Sequence, residues 1–291
     1  MKKGLAVRHP VVSGLFYPDQ EEELLRSVDG YLTRVDEDYI LSAIRDQTGV
    51  ENPLKVQPLV LISPHAGFIF SGLVQAHTYR LLKNFEFDTV VIIGPAHQTP
   101  FRGISVSLDD VYNTPIGNVP VDLEIARALI SQSNMFQFQV DAHLSEHSIE
   151  VQLPFLQRVQ PGAKIVPVLF GEQNLENARH LTEAIIKTFS AIHRRWVVIV
   201  SSDLSHYHSH VEASSLDHIL MEDIKRIDPE SLYGHILSGS TEACGFGGIL
   251  SGLLLVLEAG KKMVSILYYM DSGSVSGDRR RVVGYLSAVL Y

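Results

Sequence analysis

The sequence predicts an α/β fold: one domain over residues 1–291, with a central mixed β-sheet flanked by helices. Three observations carry that expectation. Short apolar runs rich in β-branched residues recur along the chain, as buried strands require. Amphipathic or apolar segments of helical length separate most of them, the pattern of a sheet covered on both faces. No repeat, low-complexity linker or shift in composition divides the chain.

Taken in order, "MKKGLAVRHPVVSGLFYPDQ" has two lysines but no long apolar stretch, so no signal peptide is expected. Residues 21–32 form an amphipathic helix behind Pro18-Asp19. Residues 46–58, polar with one glycine and two prolines, read as a loop. A strand over 59–63 leads through a turn to a helix over 72–84. Strands follow at 89–93 and 104–108. Asp122 is placed to cap a helix over 123–132. Pro154 interrupts a helical stretch over 148–160, which must kink or begin late. A strand at 164–169, a helix at 175–193 and a strand at 196–201 come next. Helices at 211–227 and 246–260 precede the last strands, 264–269 and 282–290.

Hydrophobic residues make up 45% of the 291 and charged residues 20%, enough to bury a sizeable core. The net charge of -9 gives no basic footprint, so no nucleic-acid partner is expected. No apolar run is long enough to span a bilayer. Cys244 is the only cysteine, which excludes an intrachain disulfide and suits the cytoplasm.

Histidines gather just beyond the ends of apolar strands. "SPHAG" puts His65 after residues 59–63, "TVVIIGPAH" leads to His97, and "WVVIVSSDLSH" leads to Asp203 and His206. Ligands of α/β sheets bind outside the carboxyl ends of the strands, so three strands deliver side chains to one edge. Pro64 restricts Ser63 and Gly67 frees the backbone, which together fix where His65 points. A helical turn through "SSDLSH" would put Asp203 and His206 on one face, with Asp203 orienting His206. Ser202 and Asp203 would equally serve as helix caps. Cys244, in "EACGFGG", stands at the start of an apolar helix. That is a setting that lowers a thiol pKa, although the local sequence by itself favours a buried structural cysteine. In "DAHLSEHSIEVQLPFL", His143, Glu146 and His147 spell the H-x-x-E-H of zinc peptidases. Alternatively, Glu146 and His147 begin a helix and face the strand-end histidines. The serines beside His206 lack the elbow of a serine nucleophile.

These segments resemble the Memo family, whose microbial members are called AmmeMemoRadiSam system protein B. The matching stretches are "SGLFYP", "SPHAGFIFSG", "IIGPAH", "YNTPIGNVPVD", "EHSIEVQLPFL", "SSDLSHY", "CG" at Cys244 and Gly245, and "VVGYLSAVL". They span nearly the whole chain. The resemblance implies the fold of class III extradiol dioxygenases. It implies a metal site at His65, His97 and Cys244, with Asp203 and His206 in the same pocket. Glu146, His147, Ser202, Phe16 and Tyr17 are expected around it. Dioxygenases hold iron with two histidines and a carboxylate, whereas a cysteine stands here, so catechol cleavage does not follow from the fold. The resemblance implies iron or copper, with zinc as a further metal. It implies an AMMECR1-like protein and a radical-SAM enzyme as partners, or a peptide ligand. Three functions are in play: a metal-dependent oxidoreductase, a binding module using the same pocket, and a Cys/His or zinc hydrolase. In the first, His206 is the general acid/base.

Overall fold

The computed structural model describes residues 4–291. Its first part runs β1 (Val7–Arg8), α1 (Glu21–Arg34), α2 (Glu37–Thr48), β2 (Val60–Ser63), α3 (Phe68–Leu82), β3 (Thr89–Pro95) and β4 (Ile104–Val106). The middle holds a small hairpin, β5 (Val111–Thr114) and β6 (Gly117–Pro120). After it come α4 (Leu123–Ile130), β7 (Phe136–Gln137), α5 (Val140–Ser145), α6 (Leu153–Val159), β8 (Lys164–Phe170) and α7 (Leu175–Ala191). The rest is β9 (Trp196–Ser201), β10 (His206–His208), α8 (His210–Arg226), α9 (Pro229–Ser238), α10 (Phe246–Glu258), β11 (Val264–Asp271), α11 (Gly273–Ser276) and β12 (Val282–Leu290).

Every apolar run expected to be a strand is one. The centre of the large sheet is β2-β9-β3-β8, all parallel. These strands are buried almost throughout, which explains their unbroken apolar sequence. Antiparallel strands flank them: β12 against β2, and β4 against β8. The sheet is therefore mixed, as expected. Because β9 lies between β2 and β3, three carboxyl ends stand side by side.

Several local expectations are corrected. The helix after "SPHAG" begins at Phe68, one turn earlier than expected, because Gly67 closes the turn and Phe68 already packs inward. The stretch around Pro154 starts late: a 3-10 turn, Glu150–Gln152, precedes α6, and Pro154 sits in the first turn, where its missing N–H costs nothing. Residues 46–48 belong to helix α2, whose Ile40 and Ile44 reach the core and whose Asp36 side chain caps it. "SSDLSH" is not helical. The Leu204 N–H donates to the Gly284 carbonyl and the Gly284 N–H to the Ser205 carbonyl, and His206 opens strand β10. Asp203 caps no helix; Ser209 caps α8.

Candidate metal centre

His65 sits on the turn after β2 and is 2% exposed. Its backbone N–H donates to Asp203 Oδ1 at 2.8 Å, and that of Ala66 to the same oxygen at 3.3 Å. Asp203 thus pins the turn; Gly67 has an ordinary φ of -54°, so the backbone freedom expected of it is not used there. It makes no hydrogen bond to the His206 ring among the described residues, so its orienting role falls on His65.

The protons around His65 can be counted. Ser201 Oγ, at the end of β9, donates its one proton to the Ser148 carbonyl at 2.6 Å. It accepts from Gln152 Nε2 at 2.8 Å. Its third neighbour, His65 Nδ1 at 2.9 Å, must then be a donor. That leaves Nε2 of His65 with a bare lone pair, 3.2 Å from Cys244 Sγ. Burial above all, with the neighbouring His97 and His147, holds the His65 pKa well below its ordinary value, so the ring stays neutral.

His97 follows the same plan from β3. Its Nδ1 lies 2.9 Å from Glu146 Oε1, and its backbone N–H donates to the other oxygen at 2.6 Å. Burial works against a charged Glu146. The hydrogen bond and charge of His97 overcome it and hold the carboxyl at about 2. For His97, burial likewise opposes charge, and Glu146 wins, so its pKa is raised. An ionised carboxylate only accepts, so Nδ1 carries a proton, and Nε2 is the nitrogen left for a ligand when the ring is neutral. Gly94 makes this approach feasible: a Cβ there would meet Ser148 Oγ at 2.4 Å.

Cys244 arrives from the far side. Its Sγ accepts the Asp203 N–H at 3.2 Å. Gly245 lies so close to β9 that a Cβ would meet the Ser201 carbonyl at 2.5 Å. The depression that a helix N-terminus would bring does not appear, as suits a buried cysteine. Burial first, then the Asp203 charge, pushes it up, outweighing the Asp203 N–H and Ser202 hydroxyl that favour the thiolate. A bound cation would reverse that balance again.

The nitrogen and sulfur ligand atoms of His65, His97 and Cys244 all lie within 4.8 Å of one another. Two imidazoles with Nδ1 committed to built acceptors, of which His65 is held neutral and His97 gives up any second proton on binding, form with one thiol a donor set that suits a metal ion. The rings of His65 and His97 stand 5.2 Å apart, and His147 stacks on His97 at 4.9 Å. Outside lies an open cavity of about 780 Å³, lined among others by Phe16, His147, Asp203, His206 and Tyr285. Burial raises the Asp203 carboxyl to about 6 against the hydrogen bond from His65 and the nearby His206.

Residues 8–289 match the family model described as Memo-like protein. The chain belongs to the Memo family. A MEMO1 family protein of Methanobrevibacter smithii is 38% identical over 97% of this chain and 99% of its own. Another, of Methanocaldococcus jannaschii, is 35% identical over 98% and 99%. One of Thermotoga neapolitana is 36% identical over 98% and 99%. A solved structure of an uncharacterized protein from Escherichia coli K12 superposes with a TM-score of 0.52 at 14% identity. It covers 81% of this chain and 100% of that one, a likeness of fold alone. The family match and this likeness agree with the mixed α/β fold expected from the resemblance.

Other expected residues divide. Phe16 packs edge-on against His147 at 5.0 Å and lines the cavity. Tyr17 does not: it is 3% exposed and donates to Glu150 Oε1 at 2.6 Å. Ser202 is fully buried, donating to the Asp203 carbonyl and accepting from the Gly245 N–H, so it shapes the wall from behind. The H-x-x-E-H pattern dissolves, because α5 ends at Ser145. His143 is buried between Tyr112 and Ser105, with both ring nitrogens engaged at 2.8 and 2.9 Å. It cannot join Glu146 and His147 on a zinc ion.

Sequence reasoning missed the residues that brace the site. Arg8, fully buried, pairs with Glu150 and donates to the carbonyls of His143 and Glu146. Gln152 ties the Pro64 carbonyl to Ser201. Glu150 and Gln152 stand inside "EHSIEVQ", at alternate positions after Glu146. Polar residues at 148, 150 and 152 among isoleucine, valine and leucine were the available signal. Tyr207 adopts a left-handed φ of 65° between His206 and His208, at a bulge in β10.

Proposed function

We propose that this Memo-family protein acts in a metal-dependent redox process, with iron or copper held by His65 Nε2, His97 Nε2 and Cys244 Sγ. The observation that supports this most is the proton count: both imidazoles spend Nδ1 on a built acceptor, leaving Nε2 for a ligand beside the only thiol. A bound iron or copper supplies one-electron chemistry, which zinc on the same donors would not. A thiolate in place of the dioxygenase carboxylate makes the donor set softer and favours copper. Around it the chain's own residues do three things. Asp203 holds the His65 turn. Glu146 fixes the ring of His97. His206, on the cavity wall, exchanges a proton with a bound ligand. The free thiol suits a reducing cytoplasm, and no helix of the described residues is long and apolar enough to cross a membrane. An AMMECR1-like protein and a radical-SAM enzyme belong to the same proposal as partners.

The test is metal analysis after anaerobic purification, followed by titration with Cu(I) and Fe(II). One ion per chain is expected, lost in Cys244→Ser and in His65→Ala. Full occupancy in the double variant would end this reading. A second reading rests on the rim of the cavity, where Leu15 and Ile69 are 81% and 67% exposed. Such apolar side chains suit a peptide or protein segment seated over the pocket. If Leu15→Ser and Ile69→Ser abolish partner binding while metal-free protein binds fully, the pocket serves as a binding module.

A further inference from the structure

On the other side of Ile69 and Phe70 lies a second cavity, of about 580 Å³. Tyr31, Phe70, Tyr268 and Tyr269 supply an aromatic lining, and Arg34 and His210 stand on it. We propose that this cavity binds an aromatic carboxylate, its ring against the tyrosines and its carboxylate on Arg34. The proposal does not rest on the metal.

Three features point to a ligand of this kind. First, the aromatic walls are held in place by bonds made elsewhere. The Tyr269 hydroxyl donates to Asp217 Oδ2 at 2.8 Å, and Tyr268 stacks on His77 at 4.2 Å and 2°. Their rings are therefore braced before any ligand arrives, which lowers the ordering cost of binding. Second, Arg34 forms no ion pair among the described residues. Its guanidinium lies 5.8 Å over the Tyr31 ring, a contact that keeps it at the cavity and leaves its donors free for a planar carboxylate. Third, the one acid in the lining is already engaged. Asp271 is 3% exposed; one oxygen faces His210 Nδ1 at 2.5 Å and the other accepts the Ser274 N–H. It fixes the His210 ring and leaves Nε2 as the atom available to a polar substituent on the ligand.

Isothermal titration with phenylacetate, with acetate and benzyl alcohol as controls, tests this. Phenylacetate should bind the wild-type chain, with acetate and benzyl alcohol each at least roughly tenfold weaker, since one lacks the ring and the other the charge. Arg34→Leu should weaken phenylacetate at least roughly tenfold. Arg34 is exposed, so the fold should survive, and an unchanged melting curve would confirm that. Cys244→Ser should bind phenylacetate like the wild type while losing metal, which separates this site from the metal pocket. Failure of the wild type to bind phenylacetate, equal binding by Arg34→Leu, or loss of binding in Cys244→Ser would each overturn the proposal.

Discussion

Glu146 and Glu150 stand four residues apart, and both are buried, yet they serve two different kinds of polar cluster. Glu150 meets the Arg8 guanidinium, the Tyr17 hydroxyl and the N–H groups of Val11 and Val12. Arg8 in turn spends its remaining nitrogens on two carbonyls. Every strong donor and acceptor finds its partner inside the cluster, and none points to a cavity. Glu146 meets His97, His147 and Ser148, but the cluster does not close. The second nitrogen of His97 is left over, and it converges with a second such nitrogen and a sulfur. A closed polar network fastens one part of a chain to another; an open one, with unspent lone pairs directed to one point, is a site.

This contrast can be broken at several places. The largest effect belongs to the closed cluster. Glu150→Ala leaves Arg8 charged and buried without a partner, and should cost about 3–5 kcal/mol in urea unfolding. Metal affinity of the molecules that still fold should change little; a variant as stable as the wild type would show that the cluster is not closed. Next comes Glu146→Gln, which alters the acceptor that fixes His97. Titration should show metal affinity about 10–100-fold weaker. An unchanged affinity would mean that His97 is oriented by something else.

The same residue sets a pH dependence in metal-free protein. Its folded pKa of about 2 lies below its ordinary 4.5, so it contributes stability above the ordinary value. That contribution should be lost as pH falls from about 4.5 through about 2. Unfolding curves of Glu146→Gln across this window should be flatter than those of the wild type. The smallest effect is expected at His143. His143→Ala removes two buried hydrogen bonds, worth roughly 1 kcal/mol each. It should leave metal content untouched; loss of metal would bring H-x-x-E-H back into consideration.

Much of the frame was legible from local patterns. The runs that became β2, β3, β8 and β9 are apolar on both faces because helices cover both, and a strand so buried has little freedom in sequence. His65, His97 and Asp203 could be placed at one edge because glycine and proline mark where strands end. Errors came where local spacing was read as local structure. Asp203 and His206 are three apart but not on a helix, since Gly284 of β12 captures the chain between them. Tyr17, expected with Phe16 around the metal site, instead turns its hydroxyl to Glu150 at 133 residues' separation.

By itself, then, the sequence determined the sheet, its carboxyl edge and the histidines on it, because burial and turn geometry act over a few residues. Only the tertiary structure decided which ring nitrogen each histidine offers. It also brought Cys244 to His65 across 179 residues and hid Arg8 behind the site. The physical reason is that a proton's place on an imidazole depends on its hydrogen-bond partner. Here those partners, Ser201 and Glu146, come from segments distant in the chain, and only folding brings them within reach.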